Sequence, residues 1–285
     1  QQGIQTIGDA LKGDAPTIQL PNPQTTQQAA PPPPAPPAPP QDKKKAPAPI
    51  EMKTGLDLSP YLKLFIFGDA GSGKTLFAAT APNPLFLDTE NSTETLRDWP
   101  EIAKRCKIIN PFKWRHADPF LKRLDAGEFE GIQTIVLDTI DAGQRNNLEA
   151  VLRGTGRDQF LPMEHDYKKS GEMIRRFLME LRDRPYHVIV LCHSEEVFSD
   201  SGVRTKVKPG CTPKLAKTLR EEFSITGFLY TEMEKLDDPF TNLLQTRSSA
   251  LVDLKSRYRY LPPLLRNPTF KDIYVAANRY KEQEQ

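Results

Sequence analysis

The chain has 285 residues, 38% of them hydrophobic, and a formal charge of +2; so near a balance excludes bulk electrostatics as the basis of nucleic-acid or membrane binding, and any basic surface has to be local. Three cysteines, Cys106, Cys192 and Cys211, stand at no metal-like or disulfide-framework spacing, which points to buried thiols in a reducing compartment. No apolar run reaches the ~18 residues of a membrane span, and the opening QQGIQTIGDALKG lacks the apolar stretch of a secretory signal, so no membrane association and a cytoplasmic location are expected.

In chain order, residues 1–57 come first and carry QQAAPPPPAPPAPPQDKKKAPAPIEMK with hardly any periodic apolar residues. Such a segment buries too little apolar surface to offset its ordering entropy, and a disordered, Pro-rich, partly polyproline-II arm is expected. Residues 58–285 suit one α/β domain. Strands are predicted at YLKLFIF (61–67), PLFLD (84–88), CKIIN (106–110), QTIVLD (133–138) and HVIVLC (187–192), each short, apolar and bounded by Pro, Gly, Asn or polar residues. Helices fill the gaps at Lys74 to Thr80, Pro119 to Ala126, Ile140 to Leu152 and Tyr167 to Asp183, the last with Met173, Ile174, Phe177, Leu178 and Leu181 on one stripe. Alternation of strand and helix predicts a parallel sheet with crossover helices. After Cys192 come a polar loop EEVFSDSGVRTKVKPG, a helix PKLAKTLREEF and strands near ITGFLYT, NLLQTR and LVDLKSR, which add antiparallel pairing at one edge.

The most specific motif is GDAGSGKT between the first strand and the first helix. It is a Walker A loop in the context that the motif requires. Gly68, Gly71 and Gly73 let the backbone wrap closely around phosphate oxygens, Asp69, Ala70, Ser72 and Leu76 complete the cradle, Lys74 brings charge to the β- and γ-phosphates, and Thr75 offers a magnesium ligand. ATP and Mg²⁺ are the expected cofactors. Asp138 closes the strand TIVLD, where a Walker B carboxylate would hold Mg²⁺. A second strand ends in DTE, so Asp88 or Glu90 can orient or deprotonate the attacking water, and alternation along the strand does not choose between them. His193 follows HVIVLC at the mouth of the sheet, where a polar side chain can sense the γ-phosphate.

With GDAGSGKT, LFLDTEN, TIVLDTI and VIVLCHSEE in this order, the stretch from Tyr61 to Ala277 resembles the RecA-type recombinase core. It is similar above all to compact phage-encoded ATPases of that superfamily linked to single-strand annealing and recombination. The resemblance implies a RecA-like P-loop NTPase fold, with a mostly parallel central sheet flanked by helices and antiparallel strands at the C-terminal edge. It also implies Glu90 as the residue that activates water, Lys74 and His193 as its catalytic companions, with His193 where the family usually has Gln, and Asp138 as the Walker B ligand. Two loops of that family bind single-stranded DNA. Their counterparts by position are RGTGRDQFLPMEHDYKK, with Arg153, Arg157, Lys168, Lys169 and Phe160, and SDSGVRTKVKPG, with Arg204, Lys206 and Lys208. Lys255 and Arg257 in LVDLKSRYRYLPP correspond to cations that reach a neighbouring subunit's γ-phosphate.

The function expected from these residues is a magnesium-dependent ATPase acting on single-stranded DNA in recombination, annealing or repair. The expected assembly is a homo-oligomeric ring or filament in the cytoplasm, the host's if the chain is phage-encoded. A helicase or helicase loader reached through the Pro-rich arm, acting with a replication or recombination protein, is the alternative. A small-molecule kinase would need a lid segment that the sequence does not announce, and a nucleotide-gated binding module would need no working base at Glu90.

Overall fold

β1 (Lys63–Gly68) is buried at every residue, which is why it reads as an unbroken apolar run and not as an alternation. A computed structural model describes residues 60–157, 161–233 and 240–279; the arm expected at residues 1–57 lies outside them. The loop after β1 leads into α1 (Lys74–Ala79) and β2 (Pro84–Asp88). A 3₁₀ segment (Ser92–Asp98) and α2 (Pro100–Ala103) then lead to the short β3 (Lys107–Ile109). Next come α3 (Ala117–Asp125), β4 (Thr134–Asp138), α4 (Ile140–Gly154) and α5 (Glu164–Asp183). The chain continues through β5 (His187–Phe198), β6 (Arg204–Pro209), α6 (Pro213–Glu222) and β7 (Ile225–Glu232). It closes with β8 (Thr241–Gln245), β9 (Lys255–Ser256), β10 (Leu264–Arg266) and α7 (Phe270–Asn278).

The sheet order is β10-β8-β7-β1-β5-β4-β2-β3, with β6 paired to β5 and β9 to β7. Pairing is parallel from β7 through β1, β5, β4 and β2 to β3, and antiparallel at β7–β8, β8–β10, β7–β9 and β5–β6. Parallel strands all end on one side, so the segments that follow them gather at one edge. Register makes this concrete: Gly68 lies opposite His193 and Asp88 opposite Asp138.

Alternating residues of the strands feed two cores. Phe65 and Phe67 join Phe120, Ile174, Phe177, Leu178, Leu181 and Leu219 from α3, α5 and α6. Leu64 and Ile66 join Phe77, Phe270 and Ile273 from α1 and α7. Each such side chain contributes about 1.5–3 kcal/mol on burial. The stripe expected on the fourth helix is present, with Met173 only partly buried.

Two sequence expectations change. The segment after Cys192, read as a polar loop, continues β5 as far as Phe198 and returns as β6, so the basic residues stand on a β-ribbon. Its charges hid it, because, of the residues of β6, only Val207 is buried and the rest show no apolar pattern. LVDLKSR shrinks to the two residues of β9. β10 and α7 carry no prediction; α7 is nine residues long, and β10 is too short to show a period.

At the opposite edge His187 accepts a hydrogen bond from the Leu62 amide on Nδ1 (2.9 Å), and its ring meets those of Tyr61, Phe270 and Tyr274 at 5.4, 4.9 and 5.7 Å. Burial, helped by the Lys63 charge, lowers its pKa from 6.5 to about 4. Between those values the unfolded chain binds more protons than the folded one, so stability is complete above pH 6.5 and falls as the pH drops toward 4. His187→Gln is expected to lose this part of the pH dependence, read as the difference between urea midpoints at pH 7 and pH 5. Equal slopes for variant and wild type would remove His187 from the account.

Candidate functional site

The loop after β1 owes its path to two glycines. A Cβ on Gly68 would sit 1.9 Å from the Leu229 carbonyl oxygen on β7, so no side chain fits where the strands approach. Gly73 has φ +82°, a left-handed conformation costly for other residues. Lys74 is buried and donates from Nζ to the carbonyls of Gly68 (3.0 Å) and Asp69 (2.7 Å). Burial lowers its pKa, opposed by the charges of Asp138, Asp141 and Glu90. The ammonium is therefore bent back on its own loop, within reach of an incoming anion.

β2 delivers two carboxylates with different tasks. Asp88 is fully buried and accepts from the amides of Glu90, Ser92 and Thr93, from the Thr93 hydroxyl and from Asn110 Nδ2. It fastens the turn after β2 and has no capacity left. Glu90 leaves the strand's alternation and turns its carboxylate to His193 (3.6 Å to Nε2) and Arg145 (3.9 Å). Between them Thr89 donates to the carbonyls of Asp138 (3.1 Å) and Thr139 (2.8 Å) and accepts from the Thr139 amide (2.9 Å). One threonine thus joins the ends of β2 and β4.

Asp138 Oδ2 accepts from the Thr75 hydroxyl at 2.8 Å, while Oδ1 is buried without a partner. Burial raises the Asp138 pKa from 3.8 to about 6. The peptide that follows it, Asp138–Thr139, is cis.

His193 is held by α4. Its amide donates to Asp141 Oδ1 (3.1 Å) and its Nδ1 meets Oδ2 (3.0 Å). The hydrogen bond to Asp141 raises the His193 pKa against the effect of burial. Burial alone would raise Asp141, but hydrogen bonds from the His193 ring and amide hold it well below the usual carboxylate range. The next residue, Ser194, donates from its hydroxyl to Asp69 in the phosphate loop, so consecutive residues of β5 touch both loops of the site.

These groups face one cavity of about 370 Å³ whose lining includes Gly71, Gly73, Lys74, Thr75, Glu90, Asp138, His193 and Asn242. Magnesium takes hard oxygen ligands. A hydroxyl beside a carboxylate that has one unpartnered buried oxygen is such a donor set, and Thr75 and Asp138 fit the ion. The Lys74 ammonium and the glycine-lined mouth fit a polyphosphate.

A family profile described as an AAA domain matches residues 61–258. The chain belongs to this AAA-domain family. The strand order, with β5 between the phosphate-loop strand and the Asp138 strand in a mostly parallel sheet with antiparallel strands at its edge, is the arrangement expected of a RecA-like P-loop fold. Among solved structures the chain is similar to the RadB recombinase at 17% identity, covering 73% of this chain and 87% of that one, with a TM-score of 0.43. It is also similar to a KaiC-like protein from the hyperthermophilic archaeon Pyrococcus horikoshii at 14% identity, covering 73% and 89%, with a TM-score of 0.38. Comparison with curated protein sequences finds no match.

Around the site of the AAA domain, the residues expected to meet DNA are scattered. Arg153 lies on α4, paired with Glu149 (3.6 Å). Arg157 is paired with the buried Asp166 (3.1 Å), which also caps α5 through the Met163 amide. Lys168 and Lys169, offered by position as DNA contacts, lie on α5 as the helix expected from Tyr167 to Asp183 implies, and Phe160 lies outside the described residues. Arg204, Lys206 and Lys208 alternate along β6 and pair with Glu196 (2.6 Å), Asp253 (2.7 Å) and Glu195 (3.3 Å). Lys255 and Arg257 donate to the last carbonyls of α6, at Arg220 and Glu221. Lys255 stands opposite Thr226 near the start of β7, at the far end of the sheet from the phosphate loop.

Asp141, Thr89 and Asn242 were not singled out in the sequence. Asp141 had a signal, a second acid one helical turn beyond a strand-terminal acid. Asn242 had none: it packs against Gly73 across 169 positions of sequence, its Nδ2 being 2.6 Å from where a Cβ on that glycine would sit. No helix among the described residues is long and apolar enough to cross a membrane.

Proposed function

We propose that this AAA domain is a magnesium-dependent ATPase that acts on single-stranded DNA as a homo-oligomer. The observation that carries the reading is the convergence of Lys74, Thr75, Asp138, Glu90 and His193 on one cavity. Lys74 binds the β- and γ-phosphates, and Thr75 and Asp138 hold Mg²⁺, which when bound neutralises charge that develops on the phosphates. Glu90 orients a water and takes its proton as the water oxygen bonds to the γ-phosphorus and the bond to the β,γ-bridging oxygen breaks. His193, next to Glu90, belongs to the same strand as the ribbon.

The ribbon supports the DNA part of the reading. Lys206 and Lys208 share one face of β6 by strand periodicity, and Arg204 follows across a bulge; the carboxylate partners of all three are exposed, so those pairs are worth about 0–1 kcal/mol and phosphates compete with them. Phe198 and Val203, exposed near the tip at 55% and 62%, offer apolar surface for bases.

ATP turnover measured with and without a single-stranded oligonucleotide tests the whole reading, and stimulation is expected. Equal turnover in both, with no oligonucleotide bound at low salt, would end it. Replacing Arg204, Lys206 and Lys208 together by Ala is expected to reduce the slope of log affinity against log salt by about 2, since each phosphate contact contributes roughly 0.7 for a single strand. An unchanged slope would remove the ribbon from the interface.

A further inference from the structure

Glu90, Asp141 and His193 form a cluster whose nearest nitrogen and oxygen atoms lie within 4.8 Å of one another. Glu90 and His193 have roles in the proposed hydrolysis; Asp141 has none. It is nevertheless buried, only 5% exposed, and both of its oxygens are used. Oδ1 accepts from the His193 amide at 3.1 Å, and Oδ2 faces His193 Nδ1 at 3.0 Å and Arg145 at 3.3 Å. An acid in the first turn of a helix has an ordinary use, as a partner of the helix dipole. Here the carboxylate is turned across to β5 instead. It grips backbone and ring of the same residue, which leaves the imidazole little freedom about χ1 and χ2.

We propose that Asp141 is a positioning residue: it commits Nδ1 of His193 as a donor and thereby presents Nε2 to Glu90 and the phosphate cavity. A carboxylate behind one nitrogen and Glu90 in front of the other, 3.6 Å away, make the imidazole a donor at both ends. The other charged groups around the ring act in both directions. Lys74 on α1 opposes the proton, Glu90 after β2 favours it, Arg145 on α4 is drawn to both carboxylates, and Asp69 is engaged by Ser194. Where a neutral amide side chain would only accept or donate, this histidine can bring a positive charge toward the γ-phosphate from within its own subunit. Asp141 follows Asp138 by one helical turn, so the segment that holds the metal also sets the ring.

The role in turnover rests on the ATPase reading; the arrangement of the ring does not, and the two are separable by experiment. The chain has four histidines, and ¹⁵N-labelling of their rings in the full chain, with His193→Gln to identify the signal, reads the protonation of each nitrogen. Wild-type His193 is expected to carry its proton on Nδ1 near neutral pH. In Asp141→Asn the midpoint of its titration is expected to fall by about one pH unit or more, and Asp141→Glu to restore part of the shift. The alkaline limb of the turnover profile is expected to move down with it. An unprotonated Nδ1 in the wild type, or the same titration in a folded Asp141→Asn variant, overturns the proposal. The wild-type spectrum decides even if the variant does not fold. Ring shifts as expected without ATP turnover in any form would leave the positioning role supported and overturn the ATPase reading.

Discussion

Glu90→Gln is expected to lower ATP turnover by about 10²–10⁴-fold, the usual contribution of a positioned base, while ATP still binds. The substitution keeps the shape of the side chain and leaves Lys74, Thr75 and Asp138 in place, so the groups proposed to bind the phosphates and the metal are not touched. What it removes is the ability to accept a proton. The choice of Glu90 over Asp88 follows from their partners. Asp88 is saturated with donors from the turn after β2 and from Asn110, whereas among the described residues the Glu90 carboxylate has a histidine at 3.6 Å and an arginine at 3.9 Å. Single-turnover kinetics with a separate measurement of nucleotide affinity make the comparison. Equal turnover for variant and wild type would mean that Glu90 is not the base, and a nucleotide-gated binding module would become the better reading.

Asp138→Asn is expected to act in opposite directions on stability and on activity. Without metal, burial holds the wild-type carboxyl at a pKa of about 6 instead of 3.8. At pH 7 it is charged in both folded and unfolded states, and a shift of about two units corresponds to roughly 3 kcal/mol lost to the fold. Asparagine removes the charge but keeps a polar group at the position of the unpartnered oxygen, which takes back about 1–3 kcal/mol. A net gain of about 0–2 kcal/mol, and so a Tm raised by up to about 8 °C, is expected in the absence of nucleotide and magnesium. The advantage should be full above pH 6 and vanish as the pH falls toward 3.8, because the folded wild type then takes up the proton itself. With ATP and magnesium present the order should reverse, since ligand that binds only the wild-type fold stabilises it by mass action, and turnover should fall by about 10² or more. A variant less stable than wild type under ligand-free conditions at pH 7 would contradict this account of Asp138.

Much of this architecture was legible in the sequence, for a physical reason. The central strands are buried on both faces, so their apolar runs are continuous, and GDAGSGKT follows one of them in the setting that gives the motif meaning. Asp138 and His193 could be placed because each ends such a run. The choice between Asp88 and Glu90 could not be read from alternation, because the chain stops being a strand at Asp88. Register supplies the missing fact: Asp88 is level with Asp138, Leu137 is opposite Val190, and so two further residues on each chain bring Glu90 and His193 to the same height. The ribbon was misread because most of its residues are exposed, and the pairing of Arg157 with Asp166, nine positions away across a loop, could not be read at all. Pairings between exposed or distant residues leave no period in a sequence.

The unbroken course of β5 has a mechanical meaning. A flexible loop would absorb a movement at its root, and would have to be ordered when it closed on a partner. A strand that runs straight through His193 does neither. Phe198 stands five residues past His193, about 16 Å at ~3.3 Å per residue, so tilting the strand by roughly 10° would swing the far end through about 3 Å. The ribbon is paired strand to strand from Ser194 to Phe198, and a paired ribbon has less backbone freedom to lose on contact than a loop does. Whatever sits at the tip is therefore geared to the nucleotide by a rod, with Asp141 and Asp69 as its two bearings.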